Sequence, residues 1–163
     1  MRAKSGFTLV EILIVVVILG ILAAIVIPQF TSASTEAKQA NLVSNLQAVR
    51  SQIELYKIHH NDELPGQQAG GDTTFTQGMT GLTDVYGVAQ AAPGAGVYGP
   101  YMRNIPKNPF TNVRTVSESA LALTAGTAGA GWHFVISGAD AGLFQAADDG
   151  SNPLDGDTLH VLY

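Results

Sequence analysis

The chain has 163 residues, a length that suits one small domain with an additional anchor helix. Its 13 acidic and 8 basic side chains give a net charge of -5, and this acidity argues against nucleic acid as a direct ligand. The sequence contains no cysteine, so disulfide bonds are excluded as a source of stability.

A short basic segment and a long apolar run open the sequence. Arg2 and Lys4 come first, and residues 12–27 contain no charged side chain. As a helix, the 21 residues 7–27 would be about 32 Å long, which is enough to cross the hydrocarbon core of a membrane. Since no Lys or Arg follows until Lys38, the charge asymmetry predicts a cytoplasmic N-terminus with the rest of the chain outside.

Glu11 places a carboxylate within this apolar region. A carboxylate at mid-membrane depth costs on the order of 2.5–3.5 kcal/mol, and such residues usually have a function. Glu11 lies four residues after Phe7. If the chain were cut before Phe7, the new amine of Phe7 would lie on the same side of the helix as Glu11 and could pair with it. The alternative is that the Glu11 side chain extends to the lipid headgroups and has no further role.

Residues 4–11, KSGFTLVE, resemble the prepilin cleavage site of the type IV pilin and pseudopilin family. The resemblance implies that a prepilin peptidase removes the leader, residues 1–6, by cutting between Gly6 and Phe7, and that Phe7 is then N-methylated. Glycine suits such a cut because it leaves the backbone unobstructed. Residues 7–27 would remain as a transmembrane helix, whereas the alternative is an uncleaved signal anchor.

The same resemblance implies assembly roles for Glu11 and Pro28. In a filament, the Glu11 carboxylate would meet the Phe7 amine of a neighbouring subunit and set the axial register, because an unpaired buried carboxylate penalises other registers. Pro28 lacks a backbone N–H and loosens the preceding helix turn. Filaments of the family are known for local melting, which here would affect the stretch from Gly20 to Pro28. A plain kink at the membrane exit is the alternative.

An amphipathic pattern follows, and residues 28–61 are predicted to form a helical spine. From Thr35 to about His59, apolar residues recur every three or four positions, which is typical of a helix that docks on a sheet. This apolar stripe consists of Leu42, Leu46, Val49, Ile53 and Tyr56. Polar residues after His59, followed by Pro65 and Gly66, predict the end of the helix.

Residues 62–163 are predicted to form an external head. Phe75, Met79 and Leu82 have helical spacing and predict one short helix. The strand candidates are residues 113–117, 120–124, 132–137, 143–147 and 158–163. A five-residue turn, residues 138–142, predicts a hairpin between the third and fourth candidates. The expected fold class is α+β: a long N-terminal helix, half of it transmembrane, packed on a small antiparallel β-sheet head, as in pilin-like proteins.

The last 24 residues contain a group of aspartates without any Lys or Arg: Asp140, Asp148, Asp149, Asp155 and Asp157. Oxygen ligands on a flexible loop with glycines are what Ca²⁺ requires, although the spacing of an EF-hand is absent. Major pseudopilins bind calcium in a similarly placed loop, so the resemblance implies a calcium site. The alternative is a solvated acidic loop.

No pattern in the sequence predicts catalysis. Residues 94–99 spell GxGxxG, but prolines flank them, and the preceding strand and following helix of a dinucleotide site are missing. His59 and His60 are adjacent, so on a helix they point to different faces and cannot chelate one metal ion as a helical pair.

The sequence therefore predicts a structural filament subunit. The favoured hypothesis is a subunit of the pseudopilus of a type II secretion-like system. Many adhesive type IV pilins close a C-terminal loop with a disulfide, and this chain has no cysteine. The alternatives are the major pilin of a type IV pilus for adhesion, motility or DNA uptake, and a monomeric anchored domain. Expected partners are copies of the chain, minor pseudopilins, the prepilin peptidase and a platform membrane protein. We expect a single-pass protein of the inner membrane with an external head.

Overall fold

The computed structural model of the protein describes residues 6–67, 74–120 and 131–147. The helices are α1 (Leu9–His59) and α2 (Phe75–Thr80), and the strands are β1 (Leu82–Asp84), β2 (Ala89–Gln90), β3 (Val97–Tyr98), β4 (Val116–Ser119), β5 (Trp132–Val135) and β6 (Phe144–Ala146). The chain divides into two compact units, residues 1–37 and residues 38–163. A long N-terminal helix with small sheets confirms the predicted α+β class.

The core of the second unit contains the apolar stripe of α1. The side chains of the stripe are at most 2% exposed: Leu42, Leu46, Val49, Ile53 and Tyr56. Alternating steps of four and three residues keep these side chains on one face of a helix, so the predicted stripe is confirmed. The helix ends at His59, as expected, because Asn61 (φ 53°) and Asp62 (φ 65°) adopt the left-handed conformation.

The larger sheet has the strand order β4-β5-β6. β5 and β6 pair antiparallel, with Phe134 opposite Phe144, so the predicted hairpin is confirmed. β4 and β5 pair in parallel, with Val116 opposite Trp132, and the sheet is therefore mixed instead of purely antiparallel. A parallel pair cannot be joined by a tight turn, and residues 121–130 of the chain between β4 and β5 lie outside the described residues.

The predicted strands agree with this sheet to different degrees. Residues 132–137 and 143–147 contain β5 and β6, whereas residues 113–117 overlap β4 only in its first two positions. Residues 121–124 of the second candidate, and the whole of the fifth, lie outside the described residues. All four side chains of β5 are buried, which is typical of a central strand that is covered on both faces.

The smaller sheet has the order β2-β1-β3, and the sequence does not predict it. Both pairs are antiparallel. The turn between β1 and β2 is held by Asp84, whose Oδ1 accepts hydrogen bonds from the backbone N–H groups of Tyr86 (2.9 Å) and Val88 (3.0 Å). Strands of two or three residues are too short to show the alternation by which a strand is recognised.

α2 lies where the short helix is predicted, and it begins with a capping box. Thr74 Oγ1 accepts a hydrogen bond from Gln77 N (3.3 Å), and Gln77 Oε1 accepts one from Thr74 N (2.9 Å). Phe75 and Met79 are fully buried. Leu82, which was expected on the helix, instead begins β1.

Asn108 fixes the connection that precedes β4, and it is 1% exposed. Its Nδ2 donates hydrogen bonds to the carbonyls of Gly131 (2.7 Å) and Ala147 (3.1 Å). Its Oδ1 accepts a hydrogen bond from Phe110 N (2.9 Å). One amide side chain therefore joins this connection to the residue before β5 and to the residue after β6.

Substitution within the stripe tests this packing. Ile53 is 2% exposed, whereas Leu55 on the same helix is 39% exposed. Ile53→Ala should lower the free energy of unfolding by about 2–5 kcal/mol, because it leaves a cavity. The control Leu55→Ala should change it by less than about 0.5 kcal/mol. Urea unfolding of the full chain in detergent, followed by the fluorescence of Trp132, measures both. Equal losses would contradict the buried stripe.

Candidate membrane and assembly site

The N-terminal part of α1 presents an apolar surface. Every residue from Gly6 to Ser34 is exposed. Among the described residues, α1 is the one helix that is long and apolar enough to cross a membrane. A soluble monomer rarely exposes so many adjacent apolar side chains, so this surface requires lipid or other subunits as its surroundings.

Within residues 7–27, the polar side chains lie at the start of α1. Thr8 immediately precedes the helix, and Glu11 is its third residue. Glu11 N donates a hydrogen bond to Thr8 Oγ1 (3.3 Å), while Thr8 N and Thr8 Oγ1 both donate to Glu11 Oε2 (3.3 Å each). This reciprocal arrangement is a capping box, which satisfies N–H groups that have no partner within the helix.

The capping box gives Glu11 a role within its own chain. Its carboxylate interacts favourably with the helix dipole, and the hydrogen bonds from Thr8 offset part of the cost of removing it from water. Both of these bonds end on Oε2, which leaves Oε1 accessible to a further donor. The spacing Thr-x-x-Glu is a sequence signal for this cap, and reasoning about Phe7 and Glu11 alone missed it.

Gly6, the residue before the predicted cleavage point, precedes the helix and is exposed. No atom lies within 4 Å of the position that a Cβ would occupy. A larger side chain at this position would therefore not disturb the fold of the chain itself.

Pro28 lies inside α1. It cannot donate a backbone hydrogen bond to the carbonyl four residues earlier. Two hydroxyls then bond back to helix carbonyls: Thr31 Oγ1 to Ile27 O (3.2 Å) and Ser32 Oγ to Pro28 O (3.0 Å). Such side-chain bonds compete with the regular backbone pattern and slightly destabilise a helix. The turns around Pro28 are therefore less strongly bonded than an uninterrupted helix.

The described structure does not bring the predicted calcium ligands together. Asp140 lies exposed in the turn between β5 and β6, while Asp148, Asp149, Asp155 and Asp157 lie outside the described residues. Within the described ranges, no group of three or more His, Cys, Asp or Glu side chains could hold a metal ion.

The glycine-rich motif and the histidines occupy structural positions. Residues 94–99 include the two-residue strand β3, and the described residues after them contain no helix, so they lack the context of a dinucleotide site. His60 is fully buried, whereas His59 is only partly buried. His133, in β5, is bonded to the hydroxyls of Ser117 (2.7 Å) and Ser119 (3.2 Å).

Comparison with known proteins relates the chain to secretion components. A family model described as the prokaryotic N-terminal methylation motif matches residues 1–27. Type II secretion system core protein G of Aeromonas hydrophila is 34% identical over 113 residues, which cover 68% of this chain and 71% of that protein. The protein of the same name from Vibrio cholerae is 34% identical over 112 residues, 69% of each chain. No solved structure matches the chain.

A pilus protein is also similar. Type IV narrow pilus major component PilA5 of Thermus thermophilus is 40% identical over 79 residues, which cover 45% of this chain and 67% of that protein. The two core protein G relatives from Aeromonas hydrophila and Vibrio cholerae match more of the chain, and their similarity extends well beyond the anchor segment. The relatives are named as secretion-system or pilus components, not as enzymes. The chain belongs to the family of type II secretion system core protein G, the major pseudopilins.

Proposed function

We propose that the chain is the structural subunit of a membrane-anchored helical filament, a pseudopilus, in a type II secretion-like system. The observation that carries this proposal is the exposed apolar surface of residues 7–27, which contains a single carboxylate, in a member of the core protein G family. Lipid covers that surface before assembly, and the same surface of neighbouring copies covers it afterwards. One apolar surface suits both states because lipid tails and packed helices are similarly apolar.

Processing is the first step of the proposed pathway. Before assembly, the subunit lies in the inner membrane with its N-terminus in the cytoplasm and its head outside. The prepilin peptidase cuts between Gly6 and Phe7, and the Phe7 amine is methylated. The match of the N-terminal methylation motif to residues 1–27 supports this step.

Glu11 then sets the register between subunits. The amine of Phe7 carries a positive charge at neutral pH. In the unassembled subunit, Thr8 holds Glu11 Oε2. In the filament, the Phe7 amine of a neighbouring subunit binds the same carboxylate through Oε1. Before assembly, the hydrogen bonds of the cap satisfy the carboxylate. In any other register the Phe7 amine would be buried without a partner, which disfavours that register.

Pro28 allows the helix to adapt as subunits pack. The missing hydrogen bond at Pro28 and the hydroxyl bonds of Thr31 and Ser32 support a local loosening there. Gly20 lowers the helix propensity of the same stretch by about 1 kcal/mol relative to alanine. Residues 20–28 are the part of α1 that uncoils in the filament.

The proposed partners follow from this role. The subunit assembles with its own copies and with minor pseudopilins, and a platform membrane protein inserts it into the filament. Energy comes from a cytoplasmic ATPase, since the chain itself catalyses no reaction. The major pilin of a type IV pilus is the second candidate function, and the similarity to PilA5 favours it over a monomeric anchored domain.

We further propose that calcium binds the C-terminal acidic segment. Five aspartates without a neighbouring Lys or Arg repel one another, and a divalent cation relieves that repulsion. Asn108 holds the carbonyl of Ala147 (3.1 Å), so Asp148 follows an anchored residue. The ligands would come from Asp140, Asp148, Asp149, Asp155 and Asp157.

Replacement of Gly6 tests the processing step. Gly6→Val should leave the leader attached, because the peptidase requires an unobstructed backbone, while the open space around Gly6 leaves the fold intact. Gly20→Val, at another open position, is the control and should be cleaved normally. Intact mass of the purified proteins measures the outcome. A wild-type mass that still includes residues 1–6, in cells with active peptidase, would contradict the proposal.

Two substitutions of Glu11 separate the cap from the charge. Glutamine retains the capping box, whereas valine removes both the cap and the charge. Both variants should insert into the membrane but lose intersubunit crosslinking through engineered cysteines, because neither attracts the Phe7 amine. NMR secondary shifts at the start of α1 should change only in Glu11→Val. Crosslinking that persists in Glu11→Gln would show that the charge has no role in assembly.

Calcium should raise the thermal midpoint of the full-length protein. Mass action gives roughly 2.7 kcal/mol when calcium is at a hundred times its dissociation constant. Magnesium should do less, because it demands a tighter octahedral cage. Asp148→Asn combined with Asp155→Asn should abolish the shift, and the control Asp62→Asn should retain it. Equal, weak shifts from both cations in all variants would identify a solvated acidic loop.

A further inference from the structure

The end of α1 is bonded to the smaller sheet through one buried imidazole. His60 is 0% exposed, its Nδ1 lies 2.8 Å from the carbonyl of Tyr56, and its Nε2 lies 2.9 Å from Oγ1 of Thr83 on β1. Its ring stacks on that of Tyr56, with centroids 3.7 Å apart and planes within 5°. We call these three residues the α1–β1 joint.

The partners of His60 define its protonation. A carbonyl only accepts, so His60 Nδ1 carries the proton and donates to Tyr56 O. The neutral ring therefore accepts a hydrogen bond from the Thr83 hydroxyl at Nε2. A second proton on Nε2 would require Thr83 to stop donating and to accept instead. It would also place a positive charge where no water reaches.

The groups around His60 include one carboxylate but are mostly uncharged. Tyr98 and Tyr101 contact its ring edge-on, at centroid distances of 5.7 and 5.9 Å. Burial raises the pKa of Tyr101, which therefore stays a neutral hydroxyl. His59 is adjacent and would repel a charged His60, whereas Asp84 would attract it.

Burial is the largest influence, and it lowers the pKa of His60 below its ordinary value. The hydrogen bond to the Tyr56 carbonyl opposes this change, as do the charge and the backbone of Asp84. A lowered pKa in the closed joint means that the open joint binds protons more readily. The joint is therefore most stable above the ordinary histidine pKa of about 6.5, and its stability falls as the pH drops below that value.

We propose that the α1–β1 joint is a proton-sensitive contact, closed while His60 is neutral and opened when His60 gains a proton. Opening frees β1 from the end of α1. The bond that opens lies on the smaller sheet. Trp132, Phe134 and Phe144 of the larger sheet share one core with the apolar stripe of α1, so that sheet stays in place. The joint is a property of the head and does not depend on the proposed filament. An external head would experience the pH of the surroundings directly.

The test uses the full-length protein in detergent micelles. Long-range ¹⁵N–¹H spectra of the imidazoles report the tautomer and titration of His60. Amide hydrogen exchange at pH 7.5 and 5.0, corrected for the intrinsic rate, reports opening at β1, with β5 as the internal reference. Hydrogen-exchange protection of the Thr83 amide should fall by about tenfold for each pH unit below the ordinary histidine pKa of about 6.5, and so by up to about thirtyfold at pH 5.0. Protection of Phe134 should not change.

Two variants identify the responsible group. His60→Gln places a neutral amide near the position of Nε2, so the acid-dependent loss of protection at β1 should disappear. His59→Gln removes the neighbouring imidazole and should retain that loss. Acid sensitivity that survives in His60→Gln, or that disappears in His59→Gln, would overturn the proposal. If His60→Gln fails to fold, the wild-type spectra decide: a His60 ring protonated at Nε2 at pH 7.5 would overturn it equally.

Discussion

The exposed apolar surface of residues 7–27 is the constraint on which the rest of this protein depends. At roughly 25 cal/mol per Å², keeping it in water would cost more than a small domain can gain from its own folding. Lipid or identical neighbours must cover it, and this requirement confines the chain to membranes and assemblies. The capping box of Thr8 and Glu11 satisfies the single charged side chain on that surface within its own chain.

Most of the structural features that could be predicted from the sequence have a local pattern of residues. The stripe from Leu42 to Tyr56 was identifiable because helical spacing depends only on neighbouring residues, and its five side chains are buried. The β5–β6 hairpin was identifiable because a short turn joins its strands. Local information was also overlooked, since the spacing from Thr8 to Glu11 spells a capping box. Processing and assembly at Gly6, Phe7, Glu11 and Pro28 stay predictions.

Contacts between distant segments could not be predicted. Asn108 bonds Ala147 across 39 positions, and both Nε and Nη2 of Arg50 donate to Phe144 O across 94 positions. The parallel pairing of β4 with β5 likewise has no local signal, because no tight turn can join two parallel strands. His60 illustrates the same limit, since its spacing from His59 excluded a helical metal site but gave no indication of Thr83.

The central claim is that this chain builds a filament required for secretion. Deletion of its gene, in cells with an intact type II secretion system, tests this most directly when secreted cargo in the medium is measured and sheared surface material is imaged. If the chain builds such a filament, deletion should stop secretion of the cargo, and the wild-type gene should restore it while Glu11→Val should not. Unchanged secretion, together with loss of long surface pili, would show that the chain is a pilus subunit and not a secretion pseudopilin.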